Sequence, residues 1–371
     1  MNKALAFLKK DPVLWAAAAA ALCSMALTPP DRAYLDYLNL RVLALLFCLM
    51  AVVAGLRRIG LLARLSDGLA ARFPGPRAQA MSMVQLCFFT SAVITNDVAL
   101  LTFVPFTLAL PLARDRRLLL RTVVLETVAA NLGSLGTPIG NPQNLFLCTH
   151  YGLAAGDFFR AVLPLWGLSW LLVTAGTLWL CRGAALPEAG TGERARPVDP
   201  PLPAARCAEY GALLALCLLT VFNVVDWRWC LGLTAAVLLL WDRPLFFGVD
   251  YGLLATFVCF FVFVGNLGRC GPVAAWLEGL LLGRELPVSA LVSQVVSNVP
   301  AAAMLAPFTA DARGLLLGTN IGGLGTPVAS MASLISYKLY CAGERPEKGR
   351  YLLFFSLVNF ALLMLLLLVI R

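Results

Sequence analysis

Charge is scarce in this chain. Of its 371 residues only 13% are Asp, Glu, Lys or Arg, while 60% are hydrophobic and the mean hydropathy is +0.82; soluble domains carry about a quarter charged residues. That shortage excludes a water-soluble globule. Histidine is almost missing as well: His150 is the single one, which excludes a histidine metal cluster, and near the outer end of a span it reads as an interface residue and not as half of a His–Asp or Cys–His pair. Lys338 is the only lysine near an apolar span and lies at its end, so a Ser/Lys dyad is unsupported, and there is no GxxxxGK[ST] phosphate loop. An intramembrane enzyme is therefore left without its usual residues, and an ATP-driven pump without its phosphate cradle. The eleven cysteines form no CxxC pair. Cys48, Cys87, Cys217 and Cys259 sit inside apolar runs and read as small core residues rather than disulfides or metal ligands.

What the chain has in abundance is long apolar runs. A helix needs about 20 apolar residues to cross a hydrocarbon layer of about 30 Å, and the runs predict an all-α, polytopic membrane protein. The first half holds spans at Val13–Leu27, Leu38–Leu56, Leu118–His150 with a break, and Phe159–Cys181. The second holds Cys207–Val225, Trp229–Trp241, Tyr251–Leu267, Ala312–Tyr340 with a break, and Tyr351–Ile370. The basic N-terminal stretch resembles a signal peptide, but it belongs to the internal repeat described below and reads as a retained first helix. The net charge of +9 falls between the runs, which points to membrane orientation and not to nucleic acid.

Two further apolar segments, 80–112 and 288–310, each carry a polar tripeptide in the middle. Their arms, about 10 to 15 residues each, are too short to cross alone and predict re-entrant hairpins. With a cytoplasmic N-terminus and both hairpins re-entrant, 21 of the 29 Lys and Arg fall inside and eight outside, as the positive-inside rule requires. Hairpin 80–112 then opens from the cytoplasm and hairpin 288–310 from outside. Residues 182–206, rich in Pro, Gly and charge, read as a cytoplasmic linker between a first repeat at 1–181 and the region 207–371. Arg57–Phe73 and Gly268–Gly283 read as interfacial amphipathic helices ahead of the hairpins.

Self-comparison supports that division. Leu46–Gly60 parallels Phe257–Gly271, Ser91–Phe106 parallels Ser293–Phe308, and Asn131–Gly140 parallels Asn320–Ala329. Four spans return the first half to the cytoplasm and the unmatched span Cys207–Val225 carries the chain out, so the second repeat runs inverted. Inverted repeats with broken helices are an architecture of secondary transporters.

The polar residues of these blocks are the candidates for chemistry. The hairpin tips are Thr95-Asn96-Asp97 and Ser297-Asn298-Val299, where helix ends leave N–H groups unpaired and Ser, Thr and Asn oxygens complement an ion's shell. Ser91 and Ser293 precede the tips by four residues and share a helical face with them. The breaks, Gly133 to Asn144 and Gly322 to Pro327, release carbonyls that lipid cannot satisfy. The candidate cation ligands are thus Ser91, Thr95, Asn96, Asp97, Asn131, Gly136, Ser293, Ser297, Asn298, Asn320 and Gly325, with Na⁺ as the metal. Substrate is expected at Thr95, Asn96, Asp97, Thr137, Pro138, Asn141, Ser297, Asn298, Thr326 and Pro327. Asp97 is suited to bind Na⁺ or carry a proton; Glu126 either pairs with a nearby Arg or is functional.

With those motifs in view, the chain resembles the ion transporter superfamily, in particular its citrate-transporter-like and divalent anion/sodium symporter families, with arsenite-permease relatives. In the symporters the tip motif is Ser-Asn-Thr; here both asparagines match at Asn96 and Asn298, while Asp97 and Val299 depart from the pattern, and an Asn-Asp tip is similar to the arsenite permeases and related antiporters. The resemblance implies an elevator motion against a scaffold that often forms a homodimer. The expectation is a bacterial plasma-membrane carrier of a small anion, carboxylate or inorganic oxyanion, with no cofactor and Na⁺ or H⁺ as coupling ion. The alternatives are a Na⁺/H⁺ antiporter or arsenite-type efflux permease on the same fold and, from another class, an intramembrane enzyme.

Overall fold

The computed structural model describes residues 12–26, 28–73, 75–182, 203–343 and 346–370. Among them there are helices and turns but no strand. The first half contributes α1 (Pro12–Ser24), α2 (Leu40–Arg58), α3 (Leu61–Arg72), α4 (Pro76–Ile94), α5 (Asn96–Ala109), α6 (Arg116–Gly133), α7 (Pro142–Tyr151) and α8 (Ala155–Leu180). The second contributes α9 (Ala204–Val221), α10 (Trp227–Trp241), α11 (Tyr251–Arg269), α12 (Gly271–Leu281), α13 (Glu285–Val296), α14 (Asn298–Leu305), α15 (Ala312–Gly322), α16 (Met331–Cys341) and α17 (Lys348–Val369).

Among the described residues, six helices are long and apolar enough to cross a membrane: α2, α6 with its 3₁₀ extension to Gly136, α8, α9, α11 and α17. Three expected spans are shorter. α1 has 13 residues, α10 has 15, and the run at 312–340 is two pieces of 11 residues each. Both breaks fall where Gly and Pro cluster, and both hairpins turn at one residue, Thr95 or Ser297. The first arm of hairpin 80–112 is longer than expected: α4 begins at Pro76 and runs 19 residues, because a proline is well placed in a helix's first turn. The expected amphipathic segments are α3 and α12, and the chain bends by 114° between α12 and α13. The expected linker 182–206 falls largely on residues 183–202, outside the described residues.

Lipid and protein surroundings separate the helices. α6 has 89% of its apolar window buried, whereas α17 has 22%. The outer helices expose large apolar side chains, among them Trp179, Leu240 and Leu353, as a hydrocarbon solvent demands. The acid that starts each broken span caps it: Asp115 accepts from the Arg117 and Leu118 amides, and Asp311 accepts from the Gly314 amide.

The chain forms two compact units that do not follow its sequence halves. The first comprises residues 12–54, 142–161 and 213–323; within it α1 lies on α11, α13 on α15, and α14 on α7, α11 and α15. The second comprises 55–141, 162–212 and 324–370; within it α4 lies on α6, α16 on α5 and α6, and α17 on α6. Each unit therefore holds one hairpin, the leading arm of that hairpin's own broken span, and the trailing arm of the other half's broken span. The chain changes unit at Asn141/Pro142 and Gly323/Leu324, inside the two breaks.

Candidate functional site

In the second unit the hairpin tip is held against the break by backbone and side chain together. Thr95 has φ 74° and ψ 149°, a region that side chains avoid at a cost of about 1–3 kcal/mol. That turn points the start of α5 at the break, where the Asn96 amide donates to the Gly140 carbonyl at 3.2 Å and the Thr137 hydroxyl donates to the Ala92 carbonyl. The Asn96 side chain accepts from the Asp97 amide at 3.0 Å and donates to Asn131 Oδ1 at 3.2 Å. Asn131 Oδ1 also accepts from Ser330 Oγ at 2.9 Å, and Asn131 Nδ2 donates to Ser333 Oγ at 3.2 Å. Asn141 donates to Ser134 Oγ at 3.0 Å, closing the loop on itself. The helices approach so closely here that a Cβ on Gly133 would overlap the Phe88 carbonyl oxygen, and Trp166 donates to the Gly133 carbonyl at 2.9 Å with its indole against Gly136.

The first unit repeats this arrangement with its own residues. Ser297 has φ 77° and ψ 155°, within a few degrees of Thr95. Asn298 Oδ1 accepts from the Val299 amide at 2.9 Å, as Asn96 does from Asp97, and its Nδ2 lies over Gly323, where a Cβ would come within 2.8 Å. Asn320 donates to Asn144 Oδ1 at 2.6 Å and to the Leu316 carbonyl at 2.7 Å. Gln294 donates to the Gly322 carbonyl at 2.8 Å, tying hairpin to break.

Of the residues singled out in the sequence, Thr95, Asn96, Thr137, Gly136, Asn131 and Asn141 converge in the second unit, with Ser91 and Pro138 beside them. Ser297, Asn298, Asn320 and Ser293 converge in the first. The hydroxyls of Ser91 and Ser293 both turn back on their own helices, donating to the Phe88 carbonyl at 3.0 Å and the Ser289 carbonyl at 2.7 Å; their oxygens keep lone pairs. Gly325, with φ 103°, belongs to the second unit with Thr326 and Pro327, and the Thr326 hydroxyl accepts from the Ala329 amide at 3.2 Å. Asp97 is half-buried at the start of α5, where a helix N-terminus favours an acid. Among the described residues Glu126 forms no ion pair with an Arg; its hydrogen-bond partner is the Thr107 hydroxyl. His150 is exposed and stacks on Phe146, and all eleven cysteines are free thiols.

Sequence reasoning passed over Asn144, Ser330, Ser333, Gln294 and Trp166. Aligning the two breaks would have found three of them, since Asn131, Asn141 and Asn144 fall opposite Asn320, Ser330 and Ser333 at the same spacing.

Buried amides and hydroxyls thus cluster about a strained tip in each unit. The family model for citrate transporters matches residues 4–318. The chain belongs to the citrate transporter family. This makes it a multi-pass membrane transporter of the citrate and anion permease type, and not an enzyme. It is 30% identical to an inner membrane protein of Escherichia coli over 342 residues, 86% of each chain. It is 32% identical to an uncharacterized transporter of Methanocaldococcus jannaschii over 278 residues, 74% of this chain and 73% of that one. A shorter likeness, 34% over 135 residues, covers 36% of this chain and 27% of a silicon efflux transporter of Oryza sativa.

Proposed function

We propose that this citrate transporter family member is a secondary active carrier of a small anion, a carboxylate or an inorganic oxyanion, coupled to Na⁺ or H⁺, in a bacterial plasma membrane with hairpin 80–112 opening from the cytoplasm. The observation that carries the reading is the matched pair of tips, each placing an asparagine at the start of a helix and a strained hydroxyl residue just before it. A helix N-terminus favours an anion through its free N–H groups and dipole. Carboxamide and hydroxyl oxygens, with the carbonyls of a glycine-rich break, are ligands suited to a small hard cation. Asn96 and Asn298 hold solute and ion, Thr95 and Ser297 add hydroxyls, and the two breaks complete the ion sites.

The test is uptake into proteoliposomes of labelled citrate, succinate and sulfate with and without a Na⁺ or pH gradient. Asn96→Ala and Asn298→Ala should each abolish uptake in protein that still folds; near-normal transport in both would overturn the assignment. Asp97→Asn should alter the Na⁺ or pH dependence, and an unchanged profile removes its ionic role.

A second reading, efflux of a hydroxylated inorganic species, is favoured by Asp97 and Val299, which make the tips poorer in neutral hydroxyls, and by the silicon efflux relative. A thermal-shift screen against Na⁺, Li⁺, citrate, sulfate, arsenite and silicic acid separates the two, since a ligand of the native form raises its apparent stability.

A further inference from the structure

Glu126 lies in α6, five residues before Asn131, with none of its surface exposed. One carboxyl oxygen, Oε1, accepts from the Thr107 hydroxyl of α5, and the other, Oε2, is buried without a hydrogen-bond partner. The titratable groups facing it from neighbouring helices are Cys87 of α4 and Tyr351 of α17, both fully buried. Among the described residues no Lys, Arg or His forms an ion pair with it.

An ionised carboxylate taken out of water costs several kcal/mol even after relaxation, and a single hydroxyl donor does not offset that. A carboxyl carrying a proton fits this turn; a carboxylate does not. The placement also has a mechanical meaning. The side-chain bonds that join α5 and α6 include Asn96 to Asn131 at the tip and Thr107 to Glu126 farther along. An ion held at the first bond and a proton held at the second act on one helix–helix contact.

We propose that Glu126 is a proton-binding site of the transport cycle, neutral in the conformation seen here and ionised when α5 moves off α6 and lets water reach Oε2. In that step the carboxyl O–H bond breaks, its electron pair stays on oxygen, and the proton passes to water; nothing is oxidised or reduced. This rests on the ion-coupled reading above and gives it a second ionisable residue besides Asp97.

Infrared difference spectroscopy of the purified full-length protein in detergent tests the site without relying on transport. The expected result is a protonated-carboxyl C=O band at neutral pH that is retained in Asp97→Asn and lost in Glu126→Gln. Should Glu126→Gln fail to fold, Glu126→Asp must shift the band. No band, or a band indifferent to substitution at Glu126, overturns the proposal whatever the uptake assay shows. The place in the cycle is tested in proteoliposomes with radioactive Na⁺ as the probe and an imposed pH gradient. Gradient-driven flux should fall in Glu126→Gln to the level of empty liposomes, and flux equal to wild type overturns the coupling role. Wild-type protein that shows the band but moves neither Na⁺ nor the tested anions overturns the ion-coupled reading while leaving the protonated site in place.

Discussion

The side-chain amide of Asn131 donates to the hydroxyl of Ser333 across 3.2 Å, joining residues 202 positions apart. Its counterpart in the first unit is the 2.6 Å bond from Asn320 to Asn144. In each case the leading arm of one broken span is bonded to the trailing arm of the other.

If this exchange holds the second unit together, Asn131 and Ser333 are energetically coupled. A thermal-unfolding double-mutant cycle of Asn131→Ala and Ser333→Ala should give a coupling of about 0.6–1.7 kcal/mol, the range found between membrane helices. A coupling near zero would mean the contact is incidental.

At Gly133 the backbone of α4 lies against α6 with no room for a Cβ. Gly133→Ala should destabilise by about 1–3 kcal/mol, the usual cost of overpacking, because the obstacle is backbone and has nowhere to go. Gly211→Ala is the control: nothing lies within 4 Å of its added Cβ, and helix propensity alone should stabilise it by about 0.5–1 kcal/mol. Equal melting temperatures for the two variants would refute the close approach.

At Thr95 and Ser297 the usual order of alanine over glycine should invert. Both residues have positive φ, so Thr95→Gly and Ser297→Gly should be more stable than the matching alanine variants by about 1–3 kcal/mol, the strain that glycine relieves. Alanine ahead of glycine at both tips in a thermal-denaturation assay would contradict the tip geometry.

Asp31, in the segment between α1 and α2, forms a 2.8 Å ion pair with Arg269 at the end of α11. The hydrogen bond and charge of Arg269 hold the Asp31 carboxyl below its ordinary range. A depressed folded-state value makes the pair stabilising above the unfolded value and removes that stability as pH falls through the folded one. Asp31→Asn should therefore flatten the acid limb of a stability–pH curve and leave the neutral region nearly unchanged, since exposed pairs contribute little. An identical acid limb would show that the pair contributes nothing.

The parts legible in the sequence are those governed by neighbours along the chain. The hairpin tips, the Gly/Pro breaks and the amphipathic α3 and α12 all follow from local composition, and each helix boundary lies within a few residues of its expected place. Side-chain partners were legible only where a repeat disclosed them. Glu126 shows the limit: an acid in an apolar span demands an explanation, but Thr107 is brought to it by packing across a turn of the chain.

The sequence by itself determined a helical membrane protein with two tips and two breaks, because apolar length, glycine and proline act over a few residues and need no partner. Only the tertiary structure decided that Asn131 meets Ser333 and Asn320 meets Asn144. The two trailing arms offer equivalent acceptors at the same spacing, so hydrogen-bond chemistry is satisfied by either pairing, and the choice falls to the way whole helices pack.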